Sequence, residues 1–298
     1  VSFFIFLCIL HFLKILKKEE ITRKDLFINA FILGFIGLSK QWGLLFFPAL
    51  GISSLLLFFY KDKSYAFKHV FYTTKSFLYS FLIFGWFYLT LFINYGSITA
   101  FNREPSKFSF SNQPQSFYFD LALQDLFIRP IRGFSLTNKL FPVLYTETYG
   151  DYWGYFLVTL GKGGKENYEI VPYLGRVNLV SLFPTFLVII GVFYTIWTLR
   201  KRAKLNQLFY ILIILSVMFT WLGYLWFLIK YPSVSKGDTI KATYILSLIH
   251  LLPFFGANVL EKVKEKNRKL YNFIFGILLL VFIHNIPTFF TRFSGIYT

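Results

Sequence analysis

Long apolar runs separated by short basic segments dominate the pattern of this chain. About 20 apolar residues cross a bilayer as a helix, and runs near that length recur throughout the sequence. We predict eight membrane spans, at residues 1–16, 26–43, 44–60, 77–95, 179–199, 205–229, 242–259 and 270–287. The first is cut short, and the second and third are tight for full spans. The predicted fold is all-α: a polytopic transmembrane helical bundle of about eight spans with one long, partly helical extracytoplasmic loop.

Composition and charge agree with this pattern. Of the 298 residues, 56% are hydrophobic, 22% are aromatic and only 15% are charged, a balance far from that of ordinary soluble domains. The formal net charge of +17 could indicate nucleic acid as a partner. The basic residues, however, form short clusters between apolar runs with no nucleic-acid-binding motif around them, so we interpret them as topology signals. The single cysteine, Cys8, excludes a disulfide within the chain and a cysteine metal site.

The distribution of lysine and arginine predicts the orientation. Eighteen of the 31 lie in the four short segments 14–24, 61–75, 200–204 and 261–269, which the positive-inside rule places in the cytoplasm. Both chain ends and the loop 96–178 then lie outside, with the plasma membrane as the expected location. We treat 1–298 as a single membrane domain with 96–178 as its loop excursion. Because Val1 already lies within an apolar run, we expect the chain to be the C-terminal part of a larger protein.

The long loop should be partly folded, because loops of this length without secondary structure are uncommon. After Pro114, polar and apolar residues recur at spacings of three and four. This periodicity predicts a helix. The helix would lie along the membrane surface with Gln113 and Asp120 on its polar stripe, or would be a buried core helix.

The stretch GLSKQWGLLFFPAL, residues 37–50, places Lys40 between two apolar runs. A lysine near the centre of a membrane helix costs about 2.5–3.5 kcal/mol on insertion scales. On the predicted topology Lys40 lies at the outer end of a helical hairpin. Its ammonium either reaches the headgroup layer and marks the interface, or binds the phosphate of a lipid.

A second outer segment, KYPSVSKGDTIKATYILSLIHLLPFF, covers residues 230–255. It places Lys236, Lys241 and Tyr244 at the same predicted surface as Lys40. Three lysines in so short an outer loop depart from the charge bias, which favours an anion-binding role for them.

Two further stretches carry candidate site residues. In LYTETYGDYWGYF, residues 144–156, Glu147, Asp151 and Trp153 combine acids and an aromatic ring, as sugar sites do. A solvated acidic turn has the same pattern. In PYLGRVNLVSLFP, residues 172–184, Arg176 would hold a phosphate or cap the interface. For His250 and His284, within predicted spans, hydrogen bonding between helices is the better hypothesis.

The stretches around Lys40 and Lys241 resemble membrane glycosyltransferases of the GT-C class, especially the dolichyl-phosphate-mannose protein mannosyltransferases and the aminoarabinose transferases. GLSKQWGLLFFPAL resembles the family's glycine-leucine helix, outer lysine and proline-containing helix, although Gln41 and Trp42 stand where relatives often have glycine. KATYILSLIHLLPFF resembles the family's late helix, in which a basic residue and a tyrosine precede an apolar run. Ser247 stands where a further proline is common.

The resemblance implies an inverting transfer of a sugar from a polyprenyl phosphate to a protein, lipid or glycan acceptor on the outer side of the membrane. Lys40, Lys241, Tyr244 and Arg176 would bind the lipid phosphate, and Glu147, Asp151 and Trp153 would contact the sugar or the acceptor. The catalytic carboxylate would precede Val1. No cofactor is indicated by the residues, and a requirement for a divalent metal stays open.

Two other functions compete with the transferase. A polytopic transporter or lipid flippase would also use many spans with intramembrane histidines. Transporters tend to show paired broken helices and internal symmetry, and no repeat is evident in the sequence. A noncatalytic subunit of another membrane enzyme is the third alternative.

Overall fold

A computed structural model describes residues 1–18, 20–98, 105–130, 136–150, 170–200, 207–233 and 239–290. Over these ranges the regular structure is helical, with no β-strand. Single-turn 3₁₀ segments lie at Gln41–Leu45, Phe110–Asn112 and Ala242–Tyr244. The α-helices, in chain order, are α1 (Ser2–Ile15), α2 (Arg23–Ser39), α3 (Phe46–Leu55), α4 (Leu57–Tyr60), α5 (Lys63–Tyr95), α6 (Gln115–Phe119), α7 (Leu123–Ile128), α8 (Leu140–Tyr149), α9 (Ile170–Val180), α10 (Leu182–Leu199), α11 (Gln207–Lys230), α12 (Leu246–Leu251), α13 (Pro253–Lys266) and α14 (Arg268–Phe290).

The predicted all-α membrane fold is confirmed. Within the described ranges, six helical segments are long and apolar enough to cross a membrane: Gln41–Tyr60, Lys63–Tyr95, Val171–Leu199, Gln207–Lys230, Leu246–Lys266 and Arg268–Thr288. They correspond to the last six of the eight predicted spans. The first two predicted spans are shorter helices, because α1 has 14 residues and α2 has 17.

The chain folds as two compact units. Unit 1 comprises Val1–Glu104, Ile196–Tyr224 and Leu246–Leu251, and unit 2 comprises Pro105–Thr195, Leu225–Ile245 and Leu252–Thr298. From Pro105 onward the long loop therefore belongs to the same unit as the chain around Lys241.

In unit 1, α2 and α5 pack along each other at close range. A methyl group added at Gly37 would lie 2.6 Å from the Phe84 ring, so glycine is what allows this approach. At the same contact the Tyr88 hydroxyl donates to the Gly37 carbonyl at 2.8 Å. The long helix α5 begins where the Asp62 side chain accepts from the Tyr65 amide, and it ends at Gly96, which has a left-handed φ of 63°.

The first two helices of unit 1 run antiparallel. The rings of Phe4 and Phe35 stack with centroids 5.2 Å apart, and farther along α1 the His11 ring lies 3.2 Å from the Asp25 carbonyl. Asp25 lies in the first turn of α2 and Lys40 directly follows its last residue, so the two lie at opposite ends of this helix.

In unit 2, small residues also set the helix contacts. Gly175 of α9 lies directly against the carbonyl of Phe127, at the end of α7. Gly191 of α10 lies against the carbonyl of Phe255 on α13, and beside it Asn258 donates to the Thr195 hydroxyl at 3.0 Å. At each contact the two backbones approach so closely that a Cβ on the glycine would collide with the facing carbonyl.

The single loop helix predicted after Pro114 is wrong, because the chain breaks there into α6 and α7. Ala122 lies between them with a left-handed φ of 42°. Asp120 stabilises the break: one carboxylate oxygen accepts from the Ala122 amide at 2.8 Å, and the other pairs with Lys139 at 2.9 Å. The Lys139 hydrogen bond lowers the pKa of Asp120, so the carboxylate is charged at neutral pH.

Candidate functional site

Glu147 is buried on the inner face of α8. Its exposed fraction is 2%, and neighbouring Thr146 is fully buried. A carboxyl group in such surroundings needs hydrogen-bonding partners, because burying a polar group without them is costly. Glu147 is therefore not part of a solvated acidic turn.

The buried Glu147 carboxylate contacts the segment that carries Lys241. The backbone amide of Ala242 donates a hydrogen bond to Glu147 Oε2 at 2.5 Å. Helix α8, in the middle of the long loop, is thereby joined to residues 239–245, which we call the Lys241 turn.

The Lys241 turn has an extended residue followed by a 3₁₀ segment. Lys241 has φ −144° and ψ 123°, and its carbonyl accepts from the Tyr244 amide at 3.1 Å. Ile240 and Ala242, on either side of it, are buried at 0% and 1% exposure, whereas Lys241 itself is exposed. This alternation, expected of extended backbone, directs the lysine side chain away from the packed layer.

Tyr244 lies beside Lys241 and is held by an aromatic contact. Its ring is perpendicular to that of Phe227, with centroids 5.9 Å apart. The Lys241 ammonium lies 5.9 Å from the Tyr244 ring centroid. The structure thus places two of the four predicted phosphate ligands together, next to the backbone amide that Glu147 holds.

Asn178 of α9 holds α8 one residue before Glu147. Its side-chain amide donates to the Thr146 hydroxyl at 3.0 Å and to the Leu126 carbonyl at 2.8 Å, while its backbone carbonyl accepts from the Tyr145 hydroxyl at 2.9 Å. Burial raises the pKa of Tyr145, so its phenol is protonated at neutral pH and acts as a donor. Helix α8 is therefore held from α9 independently of the Lys241 turn.

The start of the loop is held to the end of α11 by buried amides. Gln113, predicted on the polar stripe of a helix, is only 3% exposed. Its side chain donates to the Leu228 carbonyl at 2.8 Å and accepts from Asn138 at 2.9 Å, and Asn112 donates to the Ile229 carbonyl at 2.9 Å. Neither these anchors nor Asn178 were among the predicted site residues. Asn178 stands within the apolar stretch 172–184, which was its only signal, whereas Asn112 and Gln113 lie in the polar segment SNQPQS, where nothing indicated burial.

Arg176 lies on α9 but on another face. It is exposed, whereas Asn178 is fully buried. Its guanidinium carbon lies 6.0 Å from the Tyr173 ring centroid, and the Tyr173 hydroxyl donates to the His284 carbonyl at 2.9 Å. The acceptor here is the backbone carbonyl of His284, whereas its imidazole Nδ1 lies 2.9 Å from Oδ1 of the neighbouring Asn285 on the same helix. The predicted hydrogen bonding of the His284 side chain between helices stays a prediction.

Lys40 lies in unit 1, at the break between α2 and the 3₁₀ segment Gln41–Leu45. It is half-buried and extended, with φ −170°, and its carbonyl accepts from the Gly43 amide at 2.8 Å. Trp42 is buried, with its ring 5.8 Å from that of Tyr224. The meeting of Lys40 with Lys241 in one pocket stays a prediction.

Asp151 and Trp153 lie outside the described residues, so their predicted contacts with sugar or acceptor stay predictions. The described part of the chain holds no group of three or more His, Cys, Asp and Glu side chains placed to bind a metal ion.

No family model, curated protein or solved structure matches this chain. The fold defines a class, the polytopic helical membrane proteins. Any particular activity has to be argued from the residues around Glu147 and Lys241.

Proposed function

We propose that the chain belongs to a GT-C type glycosyltransferase, which transfers a sugar from a polyprenyl-phosphate donor to a protein, lipid or glycan acceptor. The observation that carries the proposal is the hydrogen bond between Glu147 and the Ala242 amide. It joins the middle of a long extramembrane loop to the turn that presents Lys241 and Tyr244. A loop packed against a cation at a helix end suits an enzyme that encloses a lipid-linked substrate.

The proposed chemistry needs positive charge at the departing phosphate. In an inverting displacement the acceptor oxygen attacks the anomeric carbon, the bond to the lipid phosphate breaks, and the phosphate leaves as an anion. The Lys241 ammonium and the Tyr244 hydroxyl would donate hydrogen bonds to it, with Lys40 as a further cation and Arg176 as the remaining candidate. Such charge-assisted bonds are stronger than neutral ones, and they gain strength where water is excluded.

The proposed reaction takes place on the outer side of the plasma membrane, the side to which the basic segments assign the long loop. In the proposed reaction a carboxylate takes the proton of the acceptor as the acceptor oxygen attacks the anomeric carbon. Asp151 and Trp153 remain the proposed contacts with the sugar or the acceptor.

The direct test uses membranes that contain the complete gene product and radiolabelled polyprenyl-phosphate sugars. Lys241→Ala should lower kcat/KM for the donor about tenfold or more, because a hydrogen bond to a charged group contributes about 1.5–3 kcal/mol. Lys40→Ala should have a similar effect while leaving membrane insertion intact.

Lys75→Ala is the matched control, because Lys75 lies in a predicted cytoplasmic segment, with its ammonium 4.2 Å from the Phe71 ring centroid. The control should transfer sugar at the wild-type rate. Unchanged turnover in Lys40→Ala would remove Lys40 from the site. Transbilayer movement of the lipid without transfer of any sugar would instead favour a flippase.

A further inference from the structure

We infer that Glu147 is a positioning residue that orients Lys241 toward the lipid phosphate, an inference that rests on the proposed function. Sequence reasoning placed Glu147 in contact with the sugar or the acceptor. The structure instead gives its carboxylate a backbone amide inside the Lys241 turn as a partner. Its role would then be exerted through the cation beside it.

The amide that donates to Glu147 is buried and has no other acceptor in its own segment. Ala242 is the first residue of a 3₁₀ segment, and the leading amides of a helix have no acceptor within it. Ala242 is 1% exposed, so water cannot serve as a substitute acceptor. Because an unsatisfied buried donor is costly, the turn depends on Glu147 for its conformation.

The bond to Glu147 also sets the direction of the Lys241 side chain. Fixing the Ala242 amide also fixes the peptide group that joins Ala242 to Lys241. The buried side chains of Ile240 and Ala242 leave Lys241 on the opposite side of the extended segment. The Tyr244 amide bonds to the carbonyl of the same peptide group, that of Lys241, at 3.1 Å, and so holds it from the other side.

Glu147 is itself supported by contacts between α8 and α9. The residue before it, Thr146, is bonded to Asn178 of α9, so α8 would stay in place even without the Ala242 bond. A functional side chain is held accurately when the residues behind it are themselves locked. Consecutive residues of α8 therefore face two partners: Thr146 faces α9, and Glu147 faces the Lys241 turn.

The first measurement is hydrogen exchange of the peptide containing Ala242, on the purified full chain in detergent. Glu147→Ala should speed exchange of this amide about tenfold or more, because it loses its buried acceptor. Glu147→Gln keeps a carbonyl oxygen at the same position and should stay protected. Thr148→Ala is the matched control, because its half-buried hydroxyl bonds within α8, to the Leu144 carbonyl at 2.7 Å.

The second measurement is the affinity for a polyprenyl monophosphate, with inorganic phosphate and a free polyprenol as reference ligands. Glu147→Ala and Lys241→Ala should each weaken binding about tenfold, and the double variant should also weaken it only about tenfold, because coupled residues are not additive. Glu147→Gln should restore most of the affinity.

The outcomes are distinguishable. Unchanged exchange of Ala242 in Glu147→Ala would overturn the positioning role whatever the protein binds. Faster exchange with additive losses, about a hundredfold in the double variant, would also overturn it and assign Glu147 a contact of its own with the ligand. If the wild-type chain binds the free polyprenol with the same affinity as the monophosphate, the proposed function is refuted, because Lys241 then has no phosphate to bind.

Discussion

The ion pair between Lys18 and Asp25 provides a quantitative test of the packing in unit 1. The Lys18 ammonium lies 2.6 and 2.8 Å from the two carboxylate oxygens of Asp25. Asp25 also completes a capping box with Thr22 at the start of α2, and it is only 5% exposed. Replacing Asp25 with Asn keeps the shape of the side chain and removes the charge.

The expected loss follows from the pKa of Asp25. Burial alone would raise this pKa, but hydrogen bonds from Lys18 and Thr22 lower it from 3.8 to about 2. At about 1.4 kcal/mol per pKa unit, the shift corresponds to roughly 2.5 kcal/mol. Because the Lys18 side chain is 32% exposed, solvent screens the pair, and we expect about 1–2 kcal/mol.

The sign of the pH dependence follows from the lowered pKa. A carboxyl group whose pKa is lower in the folded state stabilises that state above its unfolded pKa. The contribution of Asp25 should be present in full above about pH 4 and lost as the pH falls from 3.8 toward about 2.

The assay is thermal unfolding of wild type and Asp25→Asn in detergent micelles at a series of pH values. At pH 7 the variant should melt roughly 2–6 °C lower, and the difference should close toward pH 2. The control is Asp62→Asn, at the exposed cap of α5, where asparagine caps as well as aspartate and little change is expected. A difference in Tm that stays constant from pH 7 to pH 2 would refute the assigned charge contribution.

Two further predictions concern helix contacts in unit 2. Gly191→Ala should lower the free energy of unfolding by about 1–3 kcal/mol, because its methyl group would collide with the Phe255 carbonyl. Gly276→Ala, whose methyl group would meet no described residue within 4 Å, should be neutral or stabilising, and equal Tm values for the two variants would contradict the packing. Asn178→Ala should destabilise by about 2–4 kcal/mol, because the Leu126 carbonyl and the Thr146 hydroxyl lose their shared donor. Tyr145→Phe, which removes one bond to the same residue, should cost about 0.5–1.5 kcal/mol, and a larger loss than for Asn178→Ala would exclude Asn178 as the anchor.

The long apolar helices could be predicted well because their signal is local. Residues 205–229 were predicted as a span and the helix is Gln207–Lys230; residues 270–287 were predicted and the span is Arg268–Thr288. The boundary of α5 was missed: it was predicted at 77 and lies at Lys63. The lysines at its start lowered the hydropathy of this segment, so it was interpreted as a loop, although the Asp62 cap starts the helix there.

The long loop was predicted less well, because its structure depends on contacts with other helices. The pattern after Pro114 has helical spacing, yet Asp120 and Lys139 stabilise a break at Ala122. Gln113 looked like a surface residue, and it is buried against the Leu228 carbonyl. The spacing of polar and apolar residues along one segment does not show which distant residues that segment will contact.

Residue types and hydropathy determine which segments of this chain become membrane helices, because the transfer free energy of a segment is mainly the sum over its own side chains and needs no tertiary partner. The partner of Glu147 follows from packing instead. The Ala242 amide is 95 residues away along the chain, and in the unfolded chain every backbone amide is an equally good donor. Only the folded chain buries this particular amide next to Glu147 and away from any other acceptor. That selection depends on the way α8, α9 and the Lys241 turn come together in three dimensions.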